Sequence, residues 1–396
     1  NGPDLGNAFL SRFDLNGNRI WGTYYGAGTT EASDVAVDKN HGIYLTGLTG
    51  SNTAISTPGS HQSVHGGYKD DFLAKFNGAG QRLWATYYGG VANEGGLPAL
   101  LAHDGHIYLA GITYSATNIA TSGSSRTLFS NTVDGFLASF TLNGQREWGT
   151  YVGTGNLSSG LIVADLAEGR CDEVYVVGQI YPSNGLVTTP DAYQSTIGGG
   201  TLDGALLRYD AQGNCRYSSL IGGAQEDVLT GIALSKDGNL YLTGTTQSDS
   251  SFVTDSTYQT TYGGFRDAFV MRFLDVFPGD KESPDVILDS VQCINDTFYV
   301  PYTVSAAFFA GNVFSAELSD ASGSFASPLI IGTTAVATGN GFIRCSVPQS
   351  VAPGGGYRLR LSGSAPATKS SCTLPLYLNL PPIPDISVHG DTLTSS

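Results

Sequence analysis

Charge is scarce in this chain. Only 13% of its 396 residues are charged, and 19 Lys and Arg face 34 Asp and Glu, for a formal net charge of -15. Neutralising a phosphate backbone needs clustered cations, so nucleic acid is not an expected partner. No stretch approaches the ~18 uninterrupted apolar residues of a membrane-spanning helix, so no membrane insertion is expected. Five Cys in so long a chain make no disulfide scaffold, and no Cys-x-x-Cys pair points to zinc. Neither a Gly-x-Ser-x-Gly elbow nor a His-Glu-x-x-His pair occurs, and the chain reads as non-enzymatic.

What is abundant is Gly (53), Tyr (21) and Phe (18). Low charge with many Gly, Thr, Ser and aromatics is the composition of tightly turned β-structure, because aromatic and β-branched side chains suit a half-buried pleated surface. A unit then repeats. Trp21-Gly-Thr-Tyr-Tyr-Gly, Trp84-Ala-Thr-Tyr-Tyr-Gly-Gly, Trp148-Gly-Thr-Tyr-Val-Gly and Tyr217-Ser-Ser-Leu-Ile-Gly-Gly start 63, 64 and 69 residues apart. Each unit reads as two β-hairpins in series, a four-stranded antiparallel sheet that must stack on its neighbours to bury both faces.

The first strand of a unit is small and apolar on both faces (34–38, 97–102, 160–165, 228–234), as the innermost strand of a propeller blade should be. The second covers 43–47, 107–111, 174–178 and 240–244, and the third 72–76, 136–140, 205–209 and 268–273. The fourth carries the Trp or Tyr. Tight glycine-bearing turns join first to second and third to fourth, whereas the second-to-third loops are long and collect at one rim. The chain opens with an unaccompanied third-and-fourth pair (7–13, 20–25), and the last unit lacks a fourth strand. Ile20–Tyr25 is therefore expected to complete the last blade and close the ring, which removes exposed sheet edges. Four blades are expected, with five as the alternative.

The repeat region spans 1–277. Pro278-Gly-Asp-Lys-Glu-Ser-Pro284 reads as a linker, 285–381 as about seven short strands of a β-sandwich, and 382–396 as a linker and the start of a further domain. The opening at Asn1, with no Met and no apolar leader, fits a processed, exported chain.

Asp70, Asp134, Asp203 and Asp267 recur at the entry to the third strand, with Asn7 in the equivalent place, and Glu31, Glu94 and Glu226 recur at the same rim. One reading is a ring of cation sites, for which calcium is the fitting metal; the favoured one is a set of turn caps bonding backbone N–H groups, with no cofactor. The long loops carry Tyr68, Tyr114, Tyr181, Tyr193, Tyr258 and Tyr262 among Ser, Gly and Asn, a composition suited to adaptable recognition. Cys171 and Cys215 lie in turns at one end of the same unit and are expected to pair, as are Cys293 and Cys345 in the sandwich, leaving Cys372 over.

The phrases Trp84-Ala-Thr-Tyr-Tyr-Gly-Gly90, Asp34-Val-Ala-Val-Asp38, Ile43-Tyr-Leu-Thr-Gly47 and Asp134-Gly-Phe-Leu-Ala-Ser-Phe140 resemble the SBBP family of bacterial β-propeller repeats over residues 7–273. The stretch 311–325, with Ile331-Gly-Thr and Gly356-Tyr-Arg-Leu-Arg360, resembles an immunoglobulin-like sandwich common in surface proteins of the Bacteroidota. The resemblance implies a secreted or surface-displayed multidomain protein, exported by the type IX route, and it carries no catalytic residues. The expectation is a structural or adhesive protein at the cell surface, assembling with itself or with other surface proteins into a layer or filament. The alternative is a glycan- or protein-binding module that uses the long-loop rim.

Overall fold

The computed structural model describes residues 6–38, 40–103, 105–130, 132–153, 160–169, 173–181, 188–235, 239–249, 253–254, 257–274, 282–283, 291–304, 311–325, 327–335, 340–364, 367–369, 372, 376–380, 386–389 and 392–395. Among them every regular element is a β-strand. The chain divides into two compact units, Asn1–Gly279 and Asp280–Ser396.

In the first unit β1 (Ala8–Phe13) and β2 (Arg19–Tyr25) form a hairpin. Blade I follows as β3 (Thr30–Val37), β4 (Ile43–Thr49), β5 (Asp70–Phe76) and β6 (Arg82–Tyr88). Blade II is β7 (Glu94–His103), β8 (His106–Thr113), β9 (Asp134–Thr141) and β10 (Arg146–Tyr151). Blade III is β11 (Ile162–Glu168), β12 (Val174–Ile180), β13 (Asp203–Tyr209) and β14 (Cys215–Ile221). Blade IV has three strands, β15 (Asp227–Leu234), β16 (Asn239–Thr246) and β17 (Asp267–Leu274). All are antiparallel meanders, as short glycine-bearing turns between consecutive strands require.

Both faces of each inner blade are apolar because alternate residues point to opposite sides. On blade I, Leu45, Phe72, Ala74, Phe76 and Tyr87 face back onto Ala8, Leu10 and Tyr25 of the hairpin. From the other face, Tyr44, Leu73 and Tyr88 meet Ile107, Phe136, Ala138 and Phe140 of blade II. The pattern repeats between blades II and III, where Tyr108, Leu137 and Trp148 meet Val174, Leu207 and Tyr209. Between III and IV, Tyr175, Leu206 and Ile221 meet Leu229, Leu240 and Leu242. Each fully buried aromatic or aliphatic side chain stabilises its interface by about 1.5–3 kcal/mol.

An indole locks successive sheets. Trp21 Nε1 donates to the Gly78 carbonyl (3.0 Å), Trp84 Nε1 to Leu142 (3.1 Å) and Trp148 Nε1 to Ala211 (2.8 Å), always in the last turn of the following blade. Two residues further on stands a glycine with positive φ: Gly80 (79°), Gly144 (79°) and Gly213 (79°). A Cβ there would lie 3.0, 2.7 and 2.7 Å from the respective ring. Glycine is thus required twice, for the left-handed conformation and for the indole lying on it. In the hairpin, Gly17 has the same conformation (83°) with open space around it.

The expected strand exchange does not form: among the described residues β2 pairs with β1 and β17 with β16, and neither with the other. The cause is register. Phe9 lies opposite Tyr24 as Phe72 lies opposite Tyr87, so the hairpin matches β5–β6 of a blade and uses its other face to pack on blade I.

The second unit contains β18 (Glu282–Ser283), β19 (Val291–Cys293), β20 (Thr297–Val304), β21 (Val313–Leu318), β22 (Leu329–Ala335), β23 (Gly341–Ser346), β24 (Gly354–Tyr357), β25 (Leu359–Ser364), β26 (Ala367–Lys369) and β27 (Leu376–Asn379), with a separate hairpin of β28 (Ile386–His389) and β29 (Thr392–Ser395). The sheets run β18-β20-β23, β19-β27-β24 and β22-β21-β25-β26. They enclose one core that includes Val300, Phe314, Leu318, Ile343, Leu359 and Leu378.

Neither expected disulfide is closed. Cys171 lies outside the described residues, and Cys215 is a free thiol whose Sγ donates to the Tyr217 carbonyl (3.4 Å), with burial pushing its pKa up to about 12. Cys293 and Cys345 are also free, because they sit in different sheets: Cys345 on β23 is opposite Phe298, whereas Cys293 on β19 is beside Asn379. Cys372, expected to be left over, is buried and disulfide-bonded.

Gly213→Ala should lower the stability of the first unit by roughly 2–4 kcal/mol, since it adds a clash with Trp148 to the left-handed cost of about 1–2 kcal/mol for an L-residue. Gly17→Ala should show only the latter. Urea unfolding of the two variants side by side measures the difference, and equal losses would refute the indole lock.

Candidate functional site

The long second-to-third loops follow strand four of their own blade. In blade I, Thr57 N donates to the Ala85 carbonyl (2.9 Å) and Tyr87 N to Gln62 (3.0 Å). The same pair recurs as Thr121 to Gly149 and Tyr151 to Arg126, and again as Thr189 to Ser218 and Leu220 to Gln194. In these three blades the loop therefore takes up the free edge of the sheet.

A phrase inside the loops explains this regularity: Gln62-Ser-Val-His-Gly-Gly67, Gln194-Ser-Thr-Ile-Gly-Gly199 and Gln259-Thr-Thr-Tyr-Gly-Gly264. The first glycine donates its N–H to the Asp that opens strand three, Gly66 to Asp70 (2.7 Å), Gly198 to Asp203 (2.7 Å) and Gly263 to Asp267 (2.6 Å). Gln62 and Gln259 reach the same carboxylates through Nε2. In blade II an arginine stands where the others have Gln. The buried Arg126 grips Asp134 with both terminal nitrogens (2.9 and 3.2 Å), and Ser130 N adds a third bond (2.6 Å).

The four aspartates thus close four separate loops. They do not converge, and no group of three or more His, Cys, Asp or Glu arranged to hold a metal occurs among the described residues. The rim glutamates part company as well. Glu94 opens β7, accepting bonds from Thr113 Oγ1 (2.9 Å) and Gly90 N (3.3 Å). Its counterpart is Asp227, bonded by Ser248 Oγ (3.0 Å) and Gly223 N (2.6 Å), whereas Glu226 pairs with Arg266.

Sequence reasoning missed the electrostatic consequence. Asp70, Asp71 and Glu94 are all buried beside one another, and burial raises the pKa of each: Glu94 to about 7, Asp71 far above the carboxylate range with Glu94 and Asp70 adding to the effect. Neither Asp71 oxygen has a hydrogen-bond partner. At the equivalent position the other blades carry Gly135, Gly204 and Ala268, which was the available signal. Burial also lifts Asp203 to about 6. These carboxyls are shielded from any solute, so they do not form an accessible acid-base pair.

Of the six loop tyrosines, Tyr68, Tyr114, Tyr181 and Tyr258 are exposed and Tyr262 half-buried. No two of them stack on each other among the described residues. Tyr193 has a packing partner, the edge of Phe273 in blade IV (5.2 Å between ring centres). His61, at the same loop position in blade I, packs between Tyr88 and Phe140 (6.2 and 5.8 Å), and burial lowers its pKa to about 4. In a depression lined by Thr121, Ser124, Glu147, Trp148 and Gln212, two polar groups are committed to the fold. Trp148 holds Ala211, while Glu147 holds His106 (2.7 Å) and Ser139 (2.8 Å).

Residues 216–250, running from β14 through β15 into the loop after β16, match the family model of the SBBP β-propeller repeat. That match supports a β-propeller repeat protein. A search of curated proteins finds no match to the chain.

Arg126→Met leaves the buried Asp134 charge without a cation and should cost about 3–5 kcal/mol. Arg126→Gln, which copies blades I and IV, should cost clearly less; equal losses in urea unfolding would contradict the role assigned to Arg126. The raised Glu94 pKa gives the native state the tighter hold on that proton. The associated stabilisation is full below its ordinary value of 4.5 and lost as pH rises through about 7, by up to ~3 kcal/mol. Unfolding midpoints measured from pH 5 to 8 should fall in the wild type and fall less steeply in Glu94→Gln, where the raised Asp203 still titrates.

Proposed function

We propose that this is a non-enzymatic structural or adhesive protein of the cell surface, in which stacked SBBP blades carry a rim of ordered loops and the second unit acts as an immunoglobulin-like spacer. One observation carries the reading: the polar and aromatic groups that recur from blade to blade are taken up inside the fold. The Asp carboxylates close loops and the indoles bind the neighbouring turn, so what the repeat preserves is a way of stacking. The bonded Cys372 fits an oxidising compartment. Export by a type IX route and an origin in the Bacteroidota belong to this reading through the sequence resemblance alone. So do its partners, other surface proteins or further copies of the chain.

Intact cells treated with a membrane-impermeant biotin reagent should yield the labelled protein in the envelope or culture fluid, and a panel of polysaccharides should show no turnover. Confinement to the cytoplasmic fraction, or hydrolysis of a glycan, would overturn the proposal.

A further inference from the structure

The contact between blades I and II buries three carboxyl groups on its two sides. Asp70 and Asp71 open β5 of blade I and Glu94 opens β7 of blade II, and all three are at most 1% exposed. A Cβ on Gly89 would touch both Glu94 Oε2 and Asp70 Oδ1, so these two carboxyls share one small space. Asp71 points to the other side of the pleat, against the blade II backbone, where a Cβ on Gly111 would lie 3.1 Å from its Oδ2. Asp70 accepts from Gly66, Gly67 and Gln62, and Glu94 from Gly90 and Thr113, whereas both Asp71 oxygens accept nothing. Among the described residues the other titratable groups facing the cluster are His65 beside Asp70, Tyr87 and Tyr88 of blade I and Tyr151 of blade II, with Arg146 lying over the Tyr88 ring. None of them forms an ion pair with the three carboxyls. Blade II differs at the corresponding places: Asp134 is gripped by Arg126, and Gly135 stands where blade I has Asp71.

We propose that the contact between blades I and II is a pH-operated joint, closed while the Asp70, Asp71 and Glu94 cluster holds its protons and opened when the cluster ionises. The hairpin stays on blade I and blade II stays on blade III. This goes beyond the loss of stability assigned to Glu94 above, because it places the opening at one contact of a protein that remains otherwise folded. Like charges in a dry space repel, and parting the blades brings water to them. Asp71 contributes most, since no donor in the closed contact offsets the loss of its hydration. In a stack held by nearest-neighbour contacts, one contact can part while the rest persist. Burial raises the pKa of all three carboxyls, so the closed contact holds protons more tightly than the open one and loosens as pH rises. Arg126 spares the contact between blades II and III by giving Asp134 a permanent cation.

Two alanines of blade II can report on its two sides: Ala138 packs toward blade I and Ala110 toward blade III, and both are fully buried. In the whole protein, the thiol of Ala138→Cys should react with a maleimide at least ~10-fold faster at pH 9 than at pH 6 once the rates are corrected for thiolate fraction. That ratio follows from a Glu94 pKa of about 7 against its ordinary 4.5, and Asp71 adds to it. The thiol of Ala110→Cys should accelerate clearly less, with peptide mapping separating each reporter from Cys215, Cys293 and Cys345. Asp71→Gly, which copies blades II and III, combined with Glu94→Gln should remove most of the rise at Ala138→Cys. Equal acceleration of the two reporters overturns the proposal. So does a rate at Ala138→Cys that ignores pH, or a rise that survives undiminished in the combined variant.

Discussion

A four-stranded sheet with two apolar faces has no stable existence alone, and the first unit is organised by that constraint. Each strand alternates residues between faces, and here both sets are Phe, Tyr, Leu, Val and Ala. Every inner blade needs a neighbour on each side, so stability resides in a chain of nearest-neighbour contacts more than in any single centre. Among the described residues the hairpin packs on blade I and the three-stranded blade IV on blade III.

The second organising feature is how the loops are disciplined. Long connections would ordinarily leave backbone groups to solvent and blade edges open. In blades I and III a glutamine, a glycine pair and an aspartate bring the loop back along the outer strand. Gly66 and Gly67 come so close to the Gly90 and Ala92 carbonyls that a side chain would overlap them. The carboxylates this requires sit in dry surroundings, which lifts Glu94 and Asp203 toward neutral pH, while blade II answers the same problem with Arg126.

The strands were legible in the sequence because Trp84-Ala-Thr-Tyr-Tyr-Gly-Gly and its companions fix strand four, and alternation fixes the rest. Closure was not, since counting strands left a third-and-fourth pair at one end and a vacancy at the other. Only the register of Phe9 with Tyr24 shows that the pair precedes blade I. The cysteines misled because proximity in a drawn topology says nothing of which sheet a residue joins, as Cys293 and Cys345 show. The loops read as recognition surfaces although the Gln to Gly-Gly phrase stands in three of them, and Arg126 replaces the Gln in the fourth. Tyr193 resembled a ligand residue because exposure of part of a ring and packing of its edge on Phe273 coexist in one side chain.

The placement of the three indoles has an optical consequence. Trp21, Trp84 and Trp148 report on three successive blade contacts, one fluorophore to each, and Tyr217 replaces Trp at the last. Separation of any of the first three contacts would wet an indole and redden its emission. Detachment of blade IV from blade III would leave the tryptophan spectrum as it was, so the protein reports its own unstacking from one end and is dark at the other.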